Sequence, residues 1–244
     1  MSEPTLPGFC LRRLDGVMEG KKIPGRYGNE VRWALDAEGG RWAMKQESGY
    51  QGLLAEMLSW LIGEHLQVPQ PACALTRYKE EWHWLSAAII PATHWHQRYR
   101  DSVINRDGLG RMLTLDAIIC NEDRHPGNLL VELSPDETAV RVSAIDAGNA
   151  LAGQITDLIA RGLEPPNPWN HAPGLPIGAL RDAAMAAAEQ ARRLSRERLR
   201  GWVVEGCAVV EEDRVDPLTD ALALRCQEAP ALTLRYIELL ERRP

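Results

Sequence analysis

The sequence predicts an α+β chain, with strands around one helix over residues 1–90 and mainly helices over residues 91–244. Three observations carry this. Short β-like runs bounded by Gly, Pro and Asn recur as far as residue 90. Alanine and leucine at helical spacing fill the chain beyond residue 177. Between them, residues 115–131 read L-D-A-I-I-C-N-E-D-R-H-P-G-N-L-L-V, and residues 142–148 read V-S-A-I-D-A-G. That is a helix, a polar loop, a strand, a turn, a second strand and an Asp.

In chain order, a first strand is expected over 11–17. Residues 19–29 (E-G-K-K-I-P-G-R-Y-G-N) are glycine-rich and basic. The amides of Gly25 and Gly28 could approach phosphates because no Cβ intervenes, with Lys21, Lys22 or Arg26 adding charge. The spacing is not G-x-G-x-x-G, so an ordinary hairpin loop fits equally. Runs 31–35 and 42–45 flank a turn at Glu38-Gly39-Gly40. A helix over 51–66 places Leu53, Leu54, Met57, Leu58, Leu61 and Ile62 on one stripe, with Glu56 beside it. Val68-Pro69-Gln70-Pro71 closes that helix. Runs 72–78 and 82–90 complete a sheet of about five strands.

The central stretch carries the chemistry. Phosphoryl transfer needs a carboxylate to accept or orient the attacking hydroxyl, and hard oxygens to hold Mg²⁺ on the triphosphate. An Asp, an Asn five positions later and an Asp ending the next strand can supply them. Asp123 is assigned as base or orienter, and Asn128 and Asp146 as metal ligands. Each alone suits a turn; together, aimed by apolar strands, they read as a site. His125 is expected to brace the loop rather than to act as a second base. Cys120 reads as a small buried hydrophobe.

N-E-D-R-H-P-G-N followed by I-D-A-G resembles the catalytic and metal-binding motifs of HipA-like kinases, which are related to protein kinases and, more loosely, to phosphatidylinositol kinases. The resemblance implies a bilobal, protein-kinase-like fold binding ATP and Mg²⁺ between a β-rich lobe and a helical lobe. It makes Asp123 the catalytic residue and Asn128 and Asp146 the metal holders. Lys45, ending the run R-W-A-M-K, resembles the nucleotide-contacting lysine of a kinase third strand, and Glu56 would pair with it. The hinge falls near 89–93. H-P-G-N-L-L-V is also similar to aminoglycoside and choline phosphotransferases, whose loop begins H-G-D where this chain has Asn121-Glu122-Asp123. A protein hydroxyl and a small molecule therefore both stand as acceptors, and a non-catalytic nucleotide-binding protein is a third reading.

The remaining features bound the answer. With 244 residues, 45% hydrophobic and 25% charged, the chain can bury a sizeable core. A net charge of −6 argues against a nucleic-acid surface. The basic run 192–200 reads as a solvated helix face. Five dispersed cysteines without C-x-x-C suit reduced thiols, and no apolar run reaches membrane-spanning length, so a cytoplasmic protein is expected. His94-Trp95-His96 reads as a surface aromatic segment, not a metal site. Residues 157–171 have the composition of an exposed functional loop or a plain connector. Helices are expected over 177–199, 201–210 and 217–240, the last interrupted at Pro230.

Overall fold

A computed structural model describes residues 12–23, 31–46, 50–210 and 212–243. The strands β1 (Arg12–Arg13), β2 (Met18–Lys22), β3 (Val31–Leu35), β4 (Arg41–Lys45), β5 (Cys73–Tyr78) and β6 (Glu81–Ala87) form one sheet. Its order is β1-β5-β6-β4-β3-β2, with β1 parallel to β5 and the other neighbours antiparallel. Among the described residues the sheet thus has six strands, against about five expected. Of the strand expected over 11–17, Arg12–Arg13 is β1 and 14–17 is not strand, while 19–22, read as part of a glycine loop, belongs to β2. That strand is an edge exposed on both faces, so it carries no alternation to read. Gly25, Gly28 and Arg26 lie outside the described residues.

The β3–β4 hairpin is closed by Asp36, whose Oδ1 accepts from Gly40 N (2.6 Å) and whose Oδ2 accepts from Trp42 Nε1 (2.9 Å). Register then places Lys45 at the end of β4, opposite Val31 and Trp84. The sheet has a small core of its own, including Ala34, Trp42, Met44, Ala74 and Leu85.

Helix α1 (Tyr50–Leu66) is buried at every position from 53 to 59, beyond the apolar stripe. It belongs to the large core shared with α2 (Arg106–Ile119) and the later helices. A helix apolar on nearly all sides must be enclosed. Glu56 and Ser59 are therefore carried indoors with the leucines.

A second sheet, in the order β7-β8-β9, joins β7 (Thr93–His94), β8 (Leu129–Leu133) and β9 (Val140–Ala144). Within 94–96, His94 and His96 are exposed as a surface segment would be, but Trp95 is not. Trp95 is buried, its indole donates to Pro173 O (2.9 Å), and its backbone N–H donates to Leu129 O (3.0 Å). The start of the expected 157–171 loop is helical: α3 spans Ile155–Arg161.

The expected helix over 177–199 is two, α4 (Ile177–Ala191) and α5 (Arg196–Val210). Ser195 separates them, its hydroxyl accepting from Arg198 N–H as an N-cap does. Helices α6 (Val215–Gln227) and α7 (Ala229–Glu241) divide before Pro230, which sits in the first turn of α7 where its missing N–H costs nothing. The basic run is indeed a helix face: Arg196 and Arg200 pair with Asp220 and Asp216. Gly110 lets α2 press against α4, since a Cβ there would lie 2.7 Å from Leu180 O, and Thr114 Oγ1 donates to Ala184 O (2.7 Å). No helix among the described residues is long and apolar enough to cross a membrane.

Candidate active site

Helix α2 delivers the polar loop, and its end is unusually well held. Cys120, buried and left-handed (φ 52°), stops the helix and donates its N–H to Asp116 O. The last carbonyls of a helix have no intrahelical partner. Here Arg225, fully buried on α6, supplies donors to Ala117 O and Ile118 O (2.7 Å each) and to the Gly162 and Glu164 carbonyls. It has no carboxylate among these partners, and burial pulls its pKa down.

Below the loop lies a second buried arginine. Arg124 Nη2 and Nε donate to the two oxygens of Asp116 at 2.8 and 3.1 Å, and its Nη1 donates to Asn128 O (3.2 Å) and Ile145 O (2.8 Å). Burial acts to lower its pKa, but the Asp116 carboxylate outweighs that and raises it. Asn121 completes the support, donating to Asp116 Oδ1 (2.9 Å) and accepting from Asp123 N–H (3.1 Å). One guanidinium therefore ties α2 to the backbone of Asn128 and of Ile145, the residue before Asp146. Ile145 N–H also donates to Asn128 O (3.1 Å), setting Asn128 and Asp146 on neighbouring strand ends.

Asp123 stands at the loop's crest. Its Oδ2 accepts from Asn149 Nδ2 (2.9 Å) and its Oδ1 from Asn170 Nδ2 (3.3 Å). Asn128 Nδ2 donates to Asp123 O (2.7 Å), which leaves its amide oxygen as the atom to offer a cation. His125 accepts from Gly127 N–H through Nδ1 (3.0 Å), capping the short 3₁₀ turn Pro126–Asn128.

Lys45 and Glu56 meet as the sequence suggests. Lys45 Nζ lies 3.1 Å from Glu56 Oε1 and 2.5 Å from Asp146 Oδ1, and Glu56 Oε2 accepts from Ala147 N–H (3.0 Å). Lys45 and Glu56 are buried, whereas the Asp146 side chain is 39% exposed. Asp146 has a left-handed backbone (φ 56°), turning its carboxylate off the end of β9. The set Asn128 and Asp146, one amide and one carboxylate oxygen beside an ammonium, fits Mg²⁺ on a polyphosphate better than a soft metal. A shallow cleft runs behind this junction, lined by Glu56, Ser59, Cys73, Trp84 and Asp146 among others.

Asp116, Arg124, Asn121, Asn149, Asn170 and Arg225 were not singled out from the sequence. Arg124 had a signal, a charge inside an otherwise committed loop, and Asp116 had one as an acid in an apolar helix. The three asparagines and Arg225 had none.

No protein-family model matches the chain, and no curated protein does. Solved structures do. A Helicobacter pylori proinflammatory kinase, CtkA, superposes with a TM-score of 0.67 at 14% identity, over 94% of this chain and 99% of that one. The fold is kinase-like. Structures of CtTel1 also align, one in the open conformation with a TM-score of 0.49 at 11% identity, over 91% of this chain and 12% of that one. Within a kinase-like fold, the strand-rich sheet with α1 and the helical part meet where Lys45, Glu56 and Asp146 converge.

Proposed function

We propose that the chain is an ATP- and Mg²⁺-dependent phosphotransferase, a HipA-like cytoplasmic kinase acting on protein serine or threonine hydroxyls. The observation that carries this reading is the junction at Asp146. Residues separated by 101 positions, Lys45 and Asp146, are in contact with Glu56 behind them, and the loop bearing Asp123 and Asn128 is fastened to the same strand end. The N-E-D-R-H-P-G-N motif supports the HipA-like assignment, and the kinase-like fold supports the nucleotide lying between sheet and helices, with the hinge near 89–93.

In this reading Lys45, oriented by Glu56, positions the α- and β-phosphates, and the oxygens of Asn128 and Asp146 hold the metal. Magnesium bound there would neutralise charge on the phosphate oxygens during transfer. Asp123 orients the acceptor hydroxyl and takes its proton, while His125 caps the turn that spaces Asp123 from Asn128. A protein acceptor is favoured over a small cation because the Asp123 carboxylate contacts the solvent-exposed neutral amides of Asn149 and Asn170, not a cluster of further carboxylates.

The test is transfer from γ-labelled ATP into a cell lysate, separated into protein and small-molecule fractions. Label in protein that depends on Mg²⁺ and disappears with Asp123→Asn is the expected result. Label confined to small molecules would replace the acceptor assignment, and none in either fraction would remove the activity.

A further inference from the structure

The segment 167–172 lies along the Asp123 loop, contact by contact. Glu122 Oε1 accepts from Asn167 N–H (2.8 Å), Asp123 Oδ1 accepts from Asn170 Nδ2 (3.3 Å), and Arg124 O accepts from Ala172 N–H (2.7 Å). Three consecutive loop residues thus meet this strap in the same order. Arg161, at the end of α3, holds the same Glu122 carboxylate on both of its oxygens. The strap's outer carbonyls are gathered by a single group: Arg243, just past α7, donates to Pro168 O, to Trp169 O (2.9 Å) and to His171 O (3.1 Å). An arginine fork spanning three carbonyls fixes a turn that has only one 3₁₀ hydrogen-bonded loop of its own, Pro168–Asn170.

We propose that Asn170 is a positioning residue for Asp123, and that Arg243 acts on the same carboxylate through the 168–171 carbonyls. This rests on Asp123 being the acceptor-side carboxylate. Asn149 holds one oxygen of Asp123 at 2.9 Å, and Asn170 holds the other at the longer 3.3 Å. With one amide on each oxygen, the pair fixes the plane of the carboxylate and leaves each oxygen a further lone pair for the incoming hydroxyl. Both amides are exposed, so water competes for these bonds and they contribute little to stability. Their effect is on the direction in which the carboxylate points. Orientation errors of this kind lower turnover without touching nucleotide binding.

The experiment measures ADP formation from Mg²⁺-ATP with casein as acceptor, together with melting temperature and Mg²⁺-ATP affinity, for Asn170→Asp, Asn170→Gln and Arg243→Ala. Asn170→Asp keeps the shape but faces Asp123 with a second carboxylate. It should lower kcat by roughly tenfold or more, with melting temperature and Mg²⁺-ATP affinity unchanged. Asn170→Gln, which keeps the donor, should recover much of that loss. Arg243→Ala should lower kcat in the same direction and speed hydrogen exchange of the Trp169, His171 and Ala172 amides. Combined with Asn170→Asp it should add little, because the two act on one carboxylate. Full activity in Asn170→Asp, or additive losses in the double variant, would overturn the inference while leaving the phosphotransfer reading intact. Absence of ADP formation in the wild type would overturn that reading and this one with it.

Discussion

Asp116 and Arg124 form a fully enclosed ion pair, two hydrogen bonds of 2.8 and 3.1 Å, directly beneath the loop that carries Asp123. Breaking a buried pair from one side leaves the other charge uncompensated, which costs about 3–5 kcal/mol. Asp116→Ala should therefore lower the melting temperature by roughly 10 °C in a chain of this size. Arg124→Met with Asp116→Leu should regain much of the stability. It should not regain activity, since the guanidinium also holds Asn128 O and Ile145 O. Unfolding monitored by circular dichroism checks this; an unchanged melting temperature in Asp116→Ala would contradict it.

A pH-dependent term comes from His171, buried edge-on against Tyr236 with Nδ1 at 3.2 Å from Ala172 O. Burial lowers its pKa from 6.5 to about 4. The folded state then binds fewer protons than the unfolded state between these values, so stability rises with pH through the window and is lost as pH falls from 6.5 towards 4. His171→Phe should flatten the difference between melting temperatures at pH 7 and pH 4.5. Parallel curves for wild type and variant would show that His171 does not titrate on unfolding.

His125 makes a prediction through its cap. Replacement by Ala removes the acceptor for Gly127 N–H and should cost about 1 kcal/mol, the usual loss for a capping side chain. Activity should fall by a similar factor at every pH. His125→Asn, which can cap, should restore both. If instead an inflection near neutral pH vanishes from the rate profile while the melting point holds, His125 is the base and Asp123 is not the sole proton acceptor.

Much of this architecture was legible because it is written in local periodicity. The stripe of Leu53, Leu54, Met57, Leu58, Leu61 and Ile62 locates α1, and the runs at 31–35 and 129–131 locate strands, since each alternation or period reports a buried face. The helix-loop-strand reading at 115–148 also holds. What failed did so where tertiary contacts decide. Exposed edge strand β2 has no buried face to imprint a pattern, and Trp95 is interior through distant contacts, the large core around it and Pro173 O, which accepts its indole N–H. Asp116 lies on α2 and Arg124 in the loop beyond its end, so no single helix or strand period spans the pair. The Asn170–Asp123 contact spans 47 positions and needs the fold to exist.

The contact between Lys45 and Asp146 bears on metal binding, because Asp146 Oδ1 is shared between an ammonium and the cation it is proposed to hold. Lys45→Met should weaken ATP binding, yet tighten binding of Mn²⁺ alone by removing the competing charge. Electron paramagnetic resonance of free Mn²⁺ would read this. Weaker binding in the variant would mean that Lys45 assembles the cation site and does not compete for it.

The central claim is that Asn128 and Asp146 hold a metal on ATP. Its most direct measurement is the melting temperature with ATP, in Mg²⁺ and in chelator, for wild type and for Asp146→Ala. Ligand at a hundred times its dissociation constant stabilises by about 2.7 kcal/mol. The wild type should melt several degrees higher with ATP only when Mg²⁺ is present, and Asp146→Ala should lose that rise. A wild-type chain whose melting temperature does not respond to Mg²⁺-ATP, or responds equally in chelator, would contradict it.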